Sequence, residues 1–301
     1  MAKQRQALSG KVVAITGGAR GIGRTTAQAL IRKGCRVALG DLDLAPAEQA
    51  AAELGGGTIA IQLNVTDRDS FAAFLDEAER QLGPVDVLVN NAGIMPVTPF
   101  EQESDDSIRR QLDINVYGVM VGTQLAVRRM KARGSGHIVN IASSAGKAGV
   151  PGIATYAATK HAVVGLTEAV RAECQGSGVE LSYVMPITVN TQLIEGLADK
   201  RGVKRVEPED VAKEIVDALE LGKVDVYVPR ELRASVVLGT LLPRRAREAV
   251  ARFMGVTEVM TEVDPVARAA YEERISHNDP GVEPEASDRD TAQVAGRGPQ
   301  D

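Results

Sequence analysis

The 301-residue chain carries 40 acidic against 35 basic residues, a formal net charge of −5, with 44% hydrophobic residues, 3% aromatics and no tryptophan. That balance excludes a general nucleic-acid binder, which needs basic patches and stacking aromatics, and it supplies enough apolar residues for one large core. Two cysteines, Cys35 and Cys174, read as buried thiols of a reducing cytoplasm rather than a disulfide. The histidines His137, His161 and His277 are scattered and form no ligand set, so no metal site is expected. Met1 to Gln6 lacks the apolar stretch of a signal peptide, and no run approaches the roughly 20 apolar residues that span a bilayer; the expected location is the cytoplasm.

The first element is a β-branched strand, Val12-Val13-Ala14-Ile15, running into Thr16-Gly17-Gly18-Ala19-Arg20-Gly21-Ile22-Gly23 and then into a helix over 22–33. Strand, glycine-rich turn and helix in that order form a phosphate cradle. Glycines let backbone approach a pyrophosphate, and the helix N-terminus offers N–H groups and a favourable dipole. A second apolar strand, 36–40, ends at Asp41, about 20 residues past the turn, where a carboxylate accepts from both hydroxyls of an adenosine ribose. A helix over 44–54, a strand over 58–63, a helix over 67–82 and a strand over 85–89 follow. A long helix is expected over 104–132, a strand over 136–142, a helix over 154–176 and a strand over 179–184. A helix over 191–200, another over 208–221 starting at Pro208-Glu209-Asp210, and a strand over 224–228 complete the series. Seven strands alternating with helices predict a Rossmann-like α/β fold, a doubly wound parallel sheet covered by helices on both faces.

Tyr156 and Lys160 lie one helical turn apart on one face, with Ser143 thirteen positions before the tyrosine. A phenol, an ammonium and a hydroxyl make a proton-transfer device for an alcohol or carbonyl: a nearby cation favours phenolate, and the serine donates to the substrate oxygen.

Together these blocks resemble the short-chain dehydrogenase/reductase family from about Gly10 to Pro229. Thr16 to Gly23 has its T-G-x-x-x-G-x-G form, and Asn90-Asn91-Ala92-Gly93 its N-N-A-G element. Asn115 matches the tetrad asparagine beside Ser143, Tyr156 and Lys160. The resemblance implies an NAD(P)-dependent oxidoreductase with Tyr156 as general acid and base. Lys160 would lower the tyrosine pKa and bind the nicotinamide ribose, and Asn115 would hold a water that relays protons. It assigns cofactor contacts to Gly17, Arg20, Gly21, Ile22, Gly23, Asp41, Asn64, Val65, Asn91, Ala92, Gly93, Tyr156, Lys160, Pro186, Val189 and Thr191. Asn64 stands where aspartate is more usual and is expected to meet the adenine amino group through its amide oxygen. Arg20 is basic where some members contact a 2′-phosphate, but Asp41 repels that phosphate and binds a free hydroxyl, so NAD(H) is the expected cofactor. Pro186-Ile187 replaces the family's Pro-Gly. The loop is expected to be reshaped there, with Ile187 facing substrate or ring.

Residues 187–206 correspond to the family's mobile lid, with an apolar face of Leu193, Ile194 and Leu197 and a basic end of Lys200, Arg201, Lys204 and Arg205 that reads equally as a solvated loop or an anion site. The catalytic domain is expected over 1–229, a helical extension over 230–275 with helices at 244–254 and 265–275, and a disordered tail over 276–301. The extension reads as a cap on the pocket, an oligomer contact, or, through 235–247, a membrane-surface contact. The expected substrate is a hydrophobic secondary alcohol or ketone of steroid, retinoid, terpenoid or acyl-chain type, touching Ser143, Ile187 and Leu193, and the expected assembly a homodimer or homotetramer. The alternatives are an NADPH-dependent 3-oxoacyl-thioester reductase and a non-catalytic nucleotide sensor.

Overall fold

The computed structural model describes residues 5–197, 205–241, 243, 245, 246 and 264–276. Seven strands form one parallel sheet in the order β3-β2-β1-β4-β5-β6-β7. They are β1 (Val12–Thr16), β2 (Arg36–Asp41), β3 (Ile59–Gln62), β4 (Val85–Asn90), β5 (Gly136–Ile141), β6 (Val179–Pro186) and β7 (Asp225–Val228). The chain works outward from β1 to β3 and then crosses back to lay β4 on the other side of β1. This reversal of winding direction opens a crevice at the carboxyl ends of β1 and β4.

Successive residues of β1 serve opposite layers, as the period of two in a strand requires. Val13 and Ile15 pack with α1 (Gly21–Ile31) and α7 (Pro208–Leu221), whose Ala27, Leu30, Val211 and Ile215 are buried with them. Val12 and Ala14 meet Phe71, Phe74 and Leu75 of α3 (Arg68–Leu82) and Val121 and Met130 of α5 (Val119–Arg133) on the other face. Covered on both sides, the strands are apolar runs rather than alternating ones. Helix α2 (Leu44–Leu54) follows β2, and α6 (Ala154–Glu173) follows β5. Asp67 caps α3 by accepting from the Asp69 and Ser70 N–H groups at 2.8 and 3.2 Å, and Glu207 and Asp210 close a reciprocal capping box on α7.

Two expected helices differ. The span 104–132 is α4 (Asp105–Leu112) and α5 joined by a wider π-helical turn, Asp113–Gly118, rather than one uninterrupted helix. The reason is tertiary: Asn115, fully buried in that turn, bonds to the loop after β4. Over 191–200 only the single turn Gln192–Ile194 is helical among the described residues. Past β7 come α8 (Leu232–Leu241) and a last described helix, Pro265–Arg274, capped by Asp264. Lys200, Arg201, Lys204, His277, the tail beyond Ser276 and, apart from 245 and 246, the expected helix 244–254 lie outside the described residues. No described helix is long and apolar enough to cross a membrane.

Helix α5 lies close to the sheet because Gly122 has no side chain; a Cβ there would be 2.4 Å from Phe71 Cζ and 2.5 Å from Asn90 Oδ1. Gly122→Ala is expected to destabilise the protein by about 1–3 kcal/mol through overpacking, read as a lower urea midpoint at unchanged m-value. An unaltered midpoint would mean that α5 can retreat from Phe71 at no cost.

Candidate active site

A cavity of about 530 Å³ extends from the glycine turn and Asp41 to Ser143 and Tyr156. Every site residue expected from the sequence lines it except Gly23 and Asn115, which stand behind its wall.

At the β1–β4 crevice Thr16 Oγ1 accepts from the Asn91 and Ala92 N–H groups, each at 3.0 Å, and Asn91 Nδ2 donates to the Thr16 and Gly17 carbonyls, both at 2.9 Å. The glycines fit a dinucleotide cradle. Gly17 has φ +64° and Gly21 φ +51°, values that L side chains rarely take. A Cβ on Gly23 would lie 2.2 Å from the Gly17 carbonyl oxygen, so this glycine lets α1 approach the turn. Arg20, in extended backbone, precedes α1 and offers no side-chain cap, so the N–H groups of the first turn remain available to an anion. Asp41, at the end of β2, is oriented by the N–H groups of Ala19 at 3.0 Å and Asp43 at 3.4 Å. Burial pushes its carboxyl above the usual range, while those N–H groups and Arg20 act the other way. Arg20 itself pairs with Asp43 at 3.3 Å.

Asn64 takes part in a local turn that competes with the expected adenine contact. Its side-chain oxygen already accepts from the Thr66 N–H at 3.0 Å and the Thr66 hydroxyl at 2.7 Å, because the chain turns there into α3. The oxygen expected to meet an adenine amino group is therefore engaged by a local turn.

Tyr156 and Lys160, both on α6, are buried, and the Lys160 Nζ lies 5.5 Å from the centre of the Tyr156 ring. Ser143 accepts from the Ala145 N–H at 3.2 Å, capping a short turn after β5, and its side chain lines the same cavity as Tyr156. The sequence reading expected Lys160 to bring the phenol below its ordinary pKa. Instead burial raises Tyr156 to about 12, opposed by the hydrogen bond with Ser143. Burial also lowers Lys160 to about 8, and its ammonium donates to the Ile141 carbonyl at 2.8 Å. Both shifts have one cause: a dry pocket favours the neutral form of each group.

Asn115 uses its whole amide within the protein. Its Oδ1 accepts from the Ile94 N–H at 2.9 Å, while Nδ2 donates to the Ile94 carbonyl at 2.9 Å and the Thr159 hydroxyl at 3.2 Å. The side chain thus joins the π-helical turn, the loop after β4 and α6.

Ile187 does not distort the loop. No described non-glycine residue has positive φ, and the Ile187 N–H continues the β6–β7 ladder by donating to Val228 O at 2.9 Å. Its side chain packs on the sheet core and borders the cavity. The base of the lid is closed by a Val189–Val206 bridge, and Arg205 donates to Leu197 O at 2.9 Å.

Sequence reasoning missed how far the C-terminal helix enters the site. Arg268, 1% exposed, donates to the Leu193 and Glu195 carbonyls at 3.1 Å each, to Met95 O, and to Glu272 at 2.6 Å. Tyr271 OH accepts from the Met95 N–H at 2.8 Å and packs with Ile94 and Ile275. Leu232 and Val236 of α8 also line the cavity. An amphipathic pattern was the only sequence signal, and it does not say what the helix covers. Elsewhere Cys35 and Cys174 are buried free thiols, His137 is buried against Ser182, and His161 bonds back to Ala157 of its own helix. Among the described residues no three His, Cys, Asp or Glu side chains cluster as metal ligands.

Residues 11–202 match the family model described as short chain dehydrogenase, and the chain belongs to that family of oxidoreductases, which act on CH–OH groups with a nicotinamide cofactor. It is 38% identical to a sorbitol dehydrogenase of Cereibacter sphaeroides over 64% of this chain and 76% of that one. It is 36% identical to the glycine betaine reductase ATRR of Emericella nidulans over 70% of this chain, and spans only 18% of that protein's length. A solved short chain dehydrogenase/reductase from Burkholderia phymatum in complex with NAD superposes with a TM-score of 0.72 at 26% identity, covering 78% of this chain and 94% of that one.

The Lys160 environment sets a pH dependence of stability. Its folded-state pKa of about 8 lies below the ordinary 10.5, so between those values the unfolded chain binds more protons. Stability is therefore lowered below pH about 8 and recovers as pH rises towards about 10.5. Lys160→Met is expected to abolish that recovery, changing the wild-type-minus-variant unfolding free energy by up to ~3 kcal/mol across the window. Urea denaturation at steps of pH measures it, and a difference that stays flat would show that burial imposes no cost on the ammonium.

Proposed function

We propose that the protein is an NAD(H)-dependent oxidoreductase that interconverts a hydrophobic secondary alcohol and its ketone. The observation that carries this reading is that one cavity is lined by Ser143, by Tyr156 with Lys160 one turn along α6, by the glycine turn and by the Asp41 carboxylate. A bound nicotinamide supplies the hydride acceptor or donor; the chain supplies position and protons. In oxidation Ser143 holds the substrate oxygen and Tyr156 takes the hydroxyl proton; in reduction the phenol returns it to the developing alkoxide. Since Tyr156 is held neutral, the lowering of its pKa falls first to Ser143 and to charge arriving with the ligands. Lys160, in this reading, orients the nicotinamide ribose and passes protons. Asn115 acts by position, fixing Ile94 and α6, because its amide is spent.

Asp41 favours NAD over NADP, since a carboxylate held by two N–H groups at the end of β2 meets a ribose hydroxyl well and a 2′-phosphate poorly. Arg20, the residue that spoke for NADPH and an acyl-thioester substrate, is paired with Asp43. Apolar walls of Met95, Val150, Ile153, Ile187 and Leu193 suit a hydrophobic substrate better than a polyol. Exposed Leu112, Tyr117 and Met120, all within 104–132, agree with a homo-oligomer contact on that span.

Turnover of a panel of hydrophobic secondary alcohols with NAD is expected to exceed turnover with NADP. Tyr156→Phe is expected to reduce kcat by about 10²–10⁴-fold while leaving NADH binding, followed by fluorescence, within a factor of a few. Asp41→Ala is expected to narrow or invert the preference between cofactors. Better turnover with NADP in the unaltered protein would reject the assignment of Asp41, and NADH binding without turnover of any alcohol would favour the sensor.

A further inference from the structure

Arg274, on the last turn of the C-terminal helix, lies beyond the residues that match the family model and belongs to none of the motifs. It nevertheless lines the cavity that the glycine turn also lines. Three features fix its place. Its guanidinium lies 5.3 Å from the centre of the Tyr271 ring, and the Tyr271 hydroxyl is tied to Met95. Arg268, six residues earlier, fastens the helix to three backbone carbonyls of the lid and the loop after β4. The neighbouring charges are Arg20 beside the glycine turn, Asp43 just past Asp41, and Glu195 of the lid.

Among the described residues the Arg274 guanidinium makes no ion pair and no hydrogen bond. Arg20, by contrast, is neutralised by Asp43 at 3.3 Å. A partly buried cation with its fork of donors unused suits a bidentate anion. Burial and Arg20 both push its pKa down, as expected for a cation that lacks a close counter-charge.

We propose that Arg274 is a phosphate ligand of the dinucleotide, reaching across the mouth of the cavity to the pyrophosphate that α1 holds from below. The C-terminal helix then acts as a clamp, with Arg268 setting its register and Arg274 closing on the cofactor. This rests on the nucleotide reading above.

The test is equilibrium binding of NADH, ADP-ribose and adenosine to the full chain and to Arg274→Gln and Arg274→Lys, at low and high salt. Arg274→Gln is expected to weaken NADH and ADP-ribose by about tenfold and leave adenosine unchanged. The gap should shrink as salt screens the charge, and Arg274→Lys should fall between. Equal ADP-ribose affinity in wild type and Arg274→Gln, with a raised KM for the ketone, would overturn the proposal and hand the guanidinium to the substrate. Equal weakening of all three ligands would also overturn it, since adenosine has no phosphate, and would leave Arg274 a packing role. Failure of the wild-type protein to bind NADH or ADP-ribose would instead reject the nucleotide reading itself, and this inference with it.

Discussion

One oxygen atom sets the width of the crevice on which the site depends. Thr16 Oγ1 accepts from two successive N–H groups, those of Asn91 and Ala92, while the Asn91 amide returns two bonds to the backbone of Thr16 and Gly17. Parallel strands flanking a reversal of winding splay apart at their carboxyl ends, and nothing in the ladder holds them there. This knot does, and it leaves none of the four groups unsatisfied, each of which would cost about 1–3 kcal/mol if buried without a partner. The glycine turn then has a fixed floor, against which Gly23 packs closely enough to bring α1 over the crevice.

From that floor the site is built upward by backbone rather than by charge. The Ile94 peptide holds Asn115, the Ile141 carbonyl holds Lys160, and the Met95 peptide holds Tyr271 and Arg268. The groups suited to proton transfer are buried together, and burial shifts both the phenol and the ammonium towards their neutral forms. Ser143 is the one neighbour shown to oppose that bias at the phenol. Its hydroxyl also caps the turn after β5, so the structural and chemical readings of this serine coincide.

The strands were legible because β-branched runs buried on both faces have few alternatives. The limits of α2 and α7 were equally clear, α7 because Pro208 and the carboxylates around it mark a start that local chemistry alone enforces. The π-helical turn was not, since its side chains follow a helical pattern and its cause, the Ile94 peptide, lies elsewhere in the chain. The reach of Arg268 into the site was invisible for the same reason: its long-range partners are carbonyl oxygens, which carry no residue identity. Asn64 could have been read better, because Asn-Val-Thr before a helix invites the side-chain turn that occupies its oxygen. Ile187 looked like a conflict only on the assumption that its position needs a left-handed backbone; the ladder with β7 continues through it instead.

The four tetrad residues all fall within 11–202, whereas part of the roof above them comes from 264–275. Together with α8, the C-terminal stretch therefore completes from outside the matched residues a cavity whose other walls lie within them. It grips the rest through the main-chain atoms of Met95, Leu193 and Glu195, so the side chains at those three positions can vary without removing its bonds. A cavity built in this way can change shape at Met95 and Leu193 while its roof keeps the same anchorage.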